Sequence, residues 1–237
     1  RMILKWNNTP LRPLLAPALA LASTLGWAQS SCSNDGRRVP VVLAERFISA
    51  NCELCWSTPS ANVASRTTVL DEIVPSPLGD GAPLSAAALP EAAYRLASIH
   101  VNSPATVSEH RKNVIARPYP LRVAQGMAYG AYIGASIELP VSEVRLPPGP
   151  LHVWLALVEH IPAGTEGTPI PRNLVRSTFA RTWTAQDIEE FGRAEGMLRE
   201  TRSMGLGATA NPQRLRVVGW VEDARGNVLA AAQSHCD

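Results

Sequence analysis

Residues 46–60, RFISANCELCWSTPS, place two cysteines two residues apart directly after an apolar run. The run begins at Val39 as VPVVLAERFI, and its β-branched, apolar character predicts a buried strand that ends just before Cys52. Residues 53–70 predict a helix, with Pro59 either kinking its first turns or marking a later start. The segment therefore predicts a Cys-x-x-Cys pair between the end of a strand and the beginning of a helix.

A cysteine pair in this position is typical of thiol–disulfide chemistry. Backbone N–H groups and the helix dipole at a helix N-terminus stabilise the thiolate of Cys52, and Cys55 is close enough to resolve a mixed disulfide. Glu53 places a carboxylate beside Cys52 and is expected to oppose thiolate formation, which makes the pair a weaker oxidant. Two other interpretations remain open: a fixed short disulfide without turnover, and a metal clip completed by residues elsewhere in the chain.

The first half of the chain has an α/β pattern. The segment YRLASIHV at 94–101 predicts a second strand, and SPATVSEHRKNVIA at 103–116 predicts a second helix that opens on Ser103 and Pro104. Strand, helix, strand and helix in this order indicate a parallel strand pair. We therefore expect an α/β lobe over residues 29–130.

The second half predicts antiparallel strands. Beyond Tyr129, strand-like segments alternate with Pro and Gly loops, and DARGN at 223–227 predicts the tight turn of a closing hairpin. One helix is inserted between two of these strands, opened by a capping box of Thr184 and Asp187. The complete prediction is an α+β fold, with a mostly antiparallel, β-sandwich-like lobe over residues 131–237.

The N-terminal residues predict export. Three basic residues, Arg1, Lys5 and Arg12, precede the apolar run LLAPALALASTLGWA at 14–28, which predicts a signal peptide over residues 1–28; the alternative is a retained membrane anchor. We expect a periplasmic or secreted protein without stable membrane insertion after signal removal. The formal net charge of +2 and the absence of a dense basic stripe argue against a nucleic-acid partner.

Export implies an oxidising compartment, where cysteines tend to pair. The chain has four cysteines, which allow three connectivities. Their proximity favours pairing of Cys52 with Cys55, which leaves Cys32 and Cys236 for each other near the ends of the mature chain. Because domain termini often lie close together, we predict a structural disulfide between Cys32 and Cys236.

Four stretches, VVLAERFISANCELCWSTP, IHVNSP, RNLVRSTFARTW and RVVGWVEDARGNVLAAAQ, resemble in order those of a bacterial secreted thioredoxin-like family catalogued as a domain of unknown function. The resemblance covers most of the mature chain and implies a thioredoxin-like fold for the first lobe. Departures are Asn51 before the first cysteine, Trp56 after the second, and Ala124 and Gln125 where the family has Thr-Pro-Gln. That proline would face the dithiol, so the resemblance implies an altered substrate groove.

The function expected from the cysteine pair and the resemblance is thiol–disulfide exchange on an exported protein or a small thiol, with Cys52 attacking, Cys55 resolving and Glu53 modulating. The alternative is a non-catalytic thioredoxin-like binding or scaffold protein with a structural disulfide. No cofactor and no metal are expected, because the five histidines and four cysteines form no recognisable four-ligand pattern. The charged helix after Thr184 predicts a solvated face rather than a catalytic cluster.

Overall fold

The computed structural model describes Met2 and residues 32–58, 64–142 and 144–236. The signal peptide predicted over residues 1–28 lies outside the described residues apart from Met2. Within the described residues, no helix is long and apolar enough to cross a membrane.

Strands dominate the described part of the chain. They are β1 (Cys32–Ser33), β2 (Val42–Ser49), β3 (Thr67–Val74), β4 (Val107–Asn113), β5 (Arg122–Tyr129), β6 (Tyr132–Pro140), β7 (Leu151–Ile161), β8 (Arg172–Trp183), β9 (Met197–Gly205), β10 (Leu215–Glu222), β11 (Val228–Gln233) and β12 (His235–Cys236). The helices are α1 (Glu53–Ser57), α2 (Pro90–Ser98), α3 (Ala185–Asp187) and α4 (Arg193–Glu195), the last two joined by a π-helical turn at Ile188–Gly192.

Seven strands form one sheet in the order β11-β10-β7-β8-β3-β2-β4, and five form another in the order β12-β1-β5-β6-β9. The seven-stranded sheet is rolled, because Val114, just beyond edge strand β4, forms a parallel bridge with Val228 at the start of the opposite edge strand β11. Its inner face holds an apolar cluster that includes Leu43, Leu70 and Trp220. The strand that leads into the cysteine pair therefore belongs to a curved, nearly closed sheet.

The outer face of the rolled sheet packs on the five-stranded sheet. This contact forms the largest core cluster, in which Val123 and Ile137 of one sheet meet Leu155 of the other. The approach is closest at Gly219 of β10, where a Cβ atom would lie 2.6 Å from Val123 Cγ1 and 2.9 Å from Ile137 Cδ1. Only a residue without a side chain fits between the layers at this point.

Helix α2 covers one mouth of the rolled sheet and carries a buried ion network. The Arg95 guanidinium lies 2.7 Å from carboxylate oxygens of both Glu45 and Glu222, and Lys112 Nζ lies 3.0 Å from Glu222. Burial alone would lower the pKa of Arg95, but the hydrogen bonds that it donates to Glu45 and Glu222 raise it above its ordinary value. Burial raises the pKa of nearby Glu72 well above its ordinary value, and the Glu45 carboxylate adds to the effect.

The predicted α+β fold with a thioredoxin-like α/β lobe is wrong. The structure is mostly β, built from the two sheets, and no thioredoxin-like lobe is evident. The boundary expected at residue 130 falls inside the β5–β6 hairpin, and β3 from the first half pairs directly with β8 from the second. Both sheets therefore draw strands from both halves of the chain.

The error arises in the first half. The helix predicted over 53–70 ends at Ser57, because Thr58, the residue before Pro59, is extended. The β-branched run that begins at Thr67 forms β3, parallel to β2. The segment 94–101, predicted as a strand, lies mainly in α2, which begins with Pro90 in the first helical position. The helix predicted over 103–116 is replaced by β4, an edge strand whose charged residues alternate in exposure.

Candidate functional site

The cysteine pair lies where β2 ends. After Ser49 the chain turns, with the Cys52 N–H bonded to the Ser49 carbonyl at 2.9 Å, and α1 begins at Glu53. Cys52 is the N-cap residue of α1, and its Sγ accepts a hydrogen bond from the Cys55 N–H at 3.3 Å. The two cysteines form a disulfide, as predicted, and both are half-buried. The expected order of strand, cysteine pair and helix is thus present, although the helix has only five residues.

Arg172 of β8 holds the C-terminal end of α1. Its guanidinium, which is fully buried, donates to the carbonyls of Cys55 at 3.1 Å, Trp56 at 2.9 Å and Thr58 at 2.6 Å. The last carbonyls of a helix have no partner within the helix, and an arginine supplies several N–H donors in a rigid arrangement. The backbone that follows Cys52 is therefore fixed by a residue more than 100 positions away in the sequence.

Trp56 provides a second anchor. Its ring is buried, with the ring centroid 5.4 Å from Arg172 Cζ. Its indole N–H donates to the Glu166 carbonyl at 2.8 Å. Cys55 packs with Leu84 and other small apolar residues against the same cluster. The side of α1 that carries Cys55 and Trp56 thus faces protein.

Arg172 also belongs to a buried charge cluster. Asp71 of β3 forms an ion pair with Arg46 of β2, lies 3.9 Å from Arg172, and accepts the Asn173 N–H at 2.8 Å. Burial raises the pKa of Asp71 above its ordinary value, and the positive charge of Arg46 opposes this shift. The cluster joins the strand before the cysteine pair to the strand that anchors α1.

Glu53 and Leu54, the two residues between the cysteines, face solvent. Glu53 is exposed at the first position of α1 and forms no ion pair with any residue that the structure describes. The positive end of the helix dipole stabilises a carboxylate at this position. Leu54 is 75% exposed and places an apolar side chain next to the disulfide. An incoming partner would meet these two side chains first.

The loop around Ala124 and Gln125 does not face the Cys52–Cys55 pair. Both residues lie in β5, where Gln125 pairs with Cys32 and its amide nitrogen lies 4.0 Å from Cys236 Sγ. The resemblance had implied that this position faces the dithiol, and the structure places it at the other disulfide. The predicted Cys32–Cys236 disulfide is present and joins β1 to β12.

Three of the five histidines line the same cleft, and the other two lie elsewhere. His160 contacts Asn173, and His235 lies in β12, whereas His100, His110 and His152 line one large cleft beside α2. Among the residues that the structure describes, no group of three or more His, Cys, Asp or Glu side chains is arranged to hold a metal ion.

Sequence reasoning missed the buried charges and the cleft. The available signal was Glu45 and Arg46 inside the otherwise apolar run VPVVLAERFI, because charged residues in a buried strand require partners. Those partners, Arg95 and Asp71, are distant in sequence and became visible only in the fold.

Comparisons with known proteins add little. No protein-family model matches the chain, and no curated protein matches it. Among solved structures, HBP35 of Porphyromonas gingivalis is similar with a TM-score of 0.45 and 12% identity, over 84% of this chain and 76% of that one. A likeness at this level supports no conclusion about function.

Proposed function

We propose that the protein carries out thiol–disulfide exchange through Cys52 and Cys55 on an exported protein or a small thiol. The observation that supports this most directly is the position of Cys52 at the N-cap of α1, where its Sγ already accepts the Cys55 N–H. The same hydrogen bond would stabilise negative charge on that sulfur after reduction. The half-buried disulfide and exposed Leu54 leave room for a partner to approach.

The proposed thiol–disulfide exchange uses the sulfur atoms of Cys52 and Cys55 in turn. In the reduced pair, the Cys52 thiolate attacks a partner disulfide, forms a mixed disulfide and releases one partner sulfur as a thiolate. Cys55 then loses its proton and attacks Cys52 Sγ, which releases the second partner sulfur. Two electrons pass to the partner, and the pair returns to the disulfide. A dithiol donor in the same compartment must reduce it again.

The second candidate is a non-catalytic binding or scaffold protein in which the Cys52–Cys55 disulfide is structural. The anchoring of α1 by Arg172 and Trp56 favours this candidate, because a rigid support resists the movement that a reduced pair requires. Both disulfides are consistent with an oxidising environment, and we propose a periplasmic or secreted location for either candidate.

The reduction potential of the Cys52–Cys55 pair distinguishes the candidates. The purified protein is equilibrated in a glutathione redox series, and each cysteine is identified by alkylation and mass spectrometry. A potential between about −120 and −270 mV supports exchange, whereas a pair still oxidised below about −300 mV supports a structural disulfide. The double variant Cys32→Ser/Cys236→Ser, measured in parallel, assigns the signal to Cys52 and Cys55.

A further inference from the structure

A cleft of about 700 Å³ opens at the end of the rolled sheet opposite the cysteine pair. Its walls are the end of α2, strands β4, β7 and β8, and the turn between β10 and β11. Strand β7 shows the separation, because it begins near His152 in the cleft and ends at Ile161, which packs with Trp56 beside the cysteine pair. The volume is typical of a small-molecule site, and the inference is independent of the proposed exchange reaction.

The first sign of a ligand is an unused hydrogen-bond donor. Trp154 lines the cleft and is only 4% exposed, yet its buried indole N–H has no acceptor among the residues that the structure describes. A buried donor without a partner destabilises the folded protein, so such groups usually have a protein, solvent or ligand acceptor. The stacked Trp220 indole N–H also has no acceptor within the described residues but does not line the cleft, so only Trp154 could gain one from a ligand oxygen that reached its ring from the cleft.

The second sign is the left-handed backbone conformation of His100, which is unfavourable for a residue other than glycine. His100 ends α2 in the left-handed region at φ 59°, and the adjacent bonds from His100 N–H to Ala97 and from Val101 N–H to Leu96 form the helix-ending motif that usually contains glycine. A histidine side chain at this position is exposed and lines the cleft. Residues held in such conformations cluster at ligand sites.

The polar lining is rich in donors. The Glu222 carboxylate already binds Arg95 and Lys112, and Arg181 is paired with Asp187 and Glu200 outside the cleft. Arg225 is exposed and forms no salt bridge within the described residues, although its charge acts on the nearby Asp223. Three imidazoles contribute further nitrogens, and those of His110 and His152 each have one nitrogen in contact with a hydroxyl group. This lining favours an anionic group on the ligand.

The apolar lining of the cleft favours an aromatic ring on the ligand. Tyr94 is 62% exposed, and its ring centroid lies 6.1 Å from that of Trp154. A flat aromatic group placed against Tyr94 would cover this surface with the offset or edge contacts that aromatic pairs prefer. We propose that the cleft binds a small aromatic carboxylate, with the ring against Tyr94 and the carboxylate accepting hydrogen bonds from Arg225 and the neighbouring donors.

The test uses 2-naphthoate as the probe and uncharged 2-naphthamide as its match. Binding is followed by the indole N–H resonances of the intact protein, with Trp154 assigned from the Trp154→Phe variant. We expect the Trp154 resonance to shift with 2-naphthoate, which binds at least tenfold more tightly than 2-naphthamide. Equal affinity for the two probes, or no shift with millimolar 2-naphthoate, would overturn the proposal.

Two variants locate the binding. Arg225→Gln is expected to weaken 2-naphthoate at least tenfold and to leave 2-naphthamide unchanged. His100→Gly relieves the backbone conformation, so we expect an unchanged or higher melting temperature together with at least fivefold weaker binding of 2-naphthoate. The matched control is Arg66→Gly, which relieves a similar φ of 65° away from the cleft and should leave binding intact. Wild-type affinity in both Arg225→Gln and His100→Gly would place the probe elsewhere and refute the assignment.

Discussion

Replacing Arg172 by methionine should destabilise the protein strongly, because its buried guanidinium binds three carbonyls at the end of α1. A hydrogen bond to a charged group contributes about 1.5–3 kcal/mol, and removing one partner of a buried charged pair costs about 3–5 kcal/mol. We expect a loss of about 4 kcal/mol, since the remaining Arg46 still neutralises Asp71. For a chain of this size the melting temperature should fall by about 8–16 °C.

The assay is urea and thermal unfolding followed by circular dichroism, with both disulfides intact. Arg66→Met is the matched control, because Arg66 also donates to a backbone carbonyl, that of Val39, but is exposed; its loss should cost less than about 1 kcal/mol. If Arg172→Met does not fold, Arg172→Lys, which retains the charge but not the planar set of donors, should fold with an intermediate loss. A melting temperature for Arg172→Met within about 3 °C of the wild type would refute the anchoring role.

Three further predictions concern stability and are measured by urea unfolding. Replacing Cys32 and Cys236 by serine should cost about 5 kcal/mol in the chain-entropy relation, given a sequence separation of 204; a loss below about 1 kcal/mol would contradict it. Glu72→Gln should stabilise the protein by about 1–3 kcal/mol at pH 8 and by little at pH 5. The raised pKa of Glu72 means that its carboxyl group keeps its proton to a higher pH in the folded protein than in the unfolded chain, so the stability of the wild type falls as pH rises above 4.5. Equal pH dependence of stability in wild type and variant would count against this. Gly219→Ala should cost about 1–3 kcal/mol by overpacking, whereas Gly134→Ala, with open space around it, should not; similar losses for both would refute the close approach.

Local signals in the sequence located several elements correctly. The apolar run before Cys52 predicted β2, DARGN lies between β10 and β11 as expected, and the Thr184–Asp187 capping box is present. These features depend on residues that are close in sequence, namely β-branched runs, turn residues and a side chain that caps its own helix. Both disulfide pairings were also predicted correctly.

The features that the sequence concealed depend on distant partners. The central strand β3 was missed within the helix predicted over 53–70, and its two acidic residues are buried through distant partners: Asp71 pairs with Arg46, and Glu72 lies near Arg95. Ser103 and Pro104 suggested a helix start where β4 follows, because an edge strand that faces solvent on one side has no continuous apolar pattern to identify it. Neither the anchoring of α1 by Arg172 nor the cleft beside α2 has a local signature.

The Cys32–Cys236 bond makes the chain between these two cysteines a closed covalent ring. A single proteolytic cut between these two residues would leave one molecule of unchanged mass apart from the added water, and separation into fragments would require reduction. Force applied to the backbone outside the two cysteines would pass through the sulfur atoms rather than through the strands. The fold would therefore bear tension without unfolding for as long as its surroundings remain oxidising.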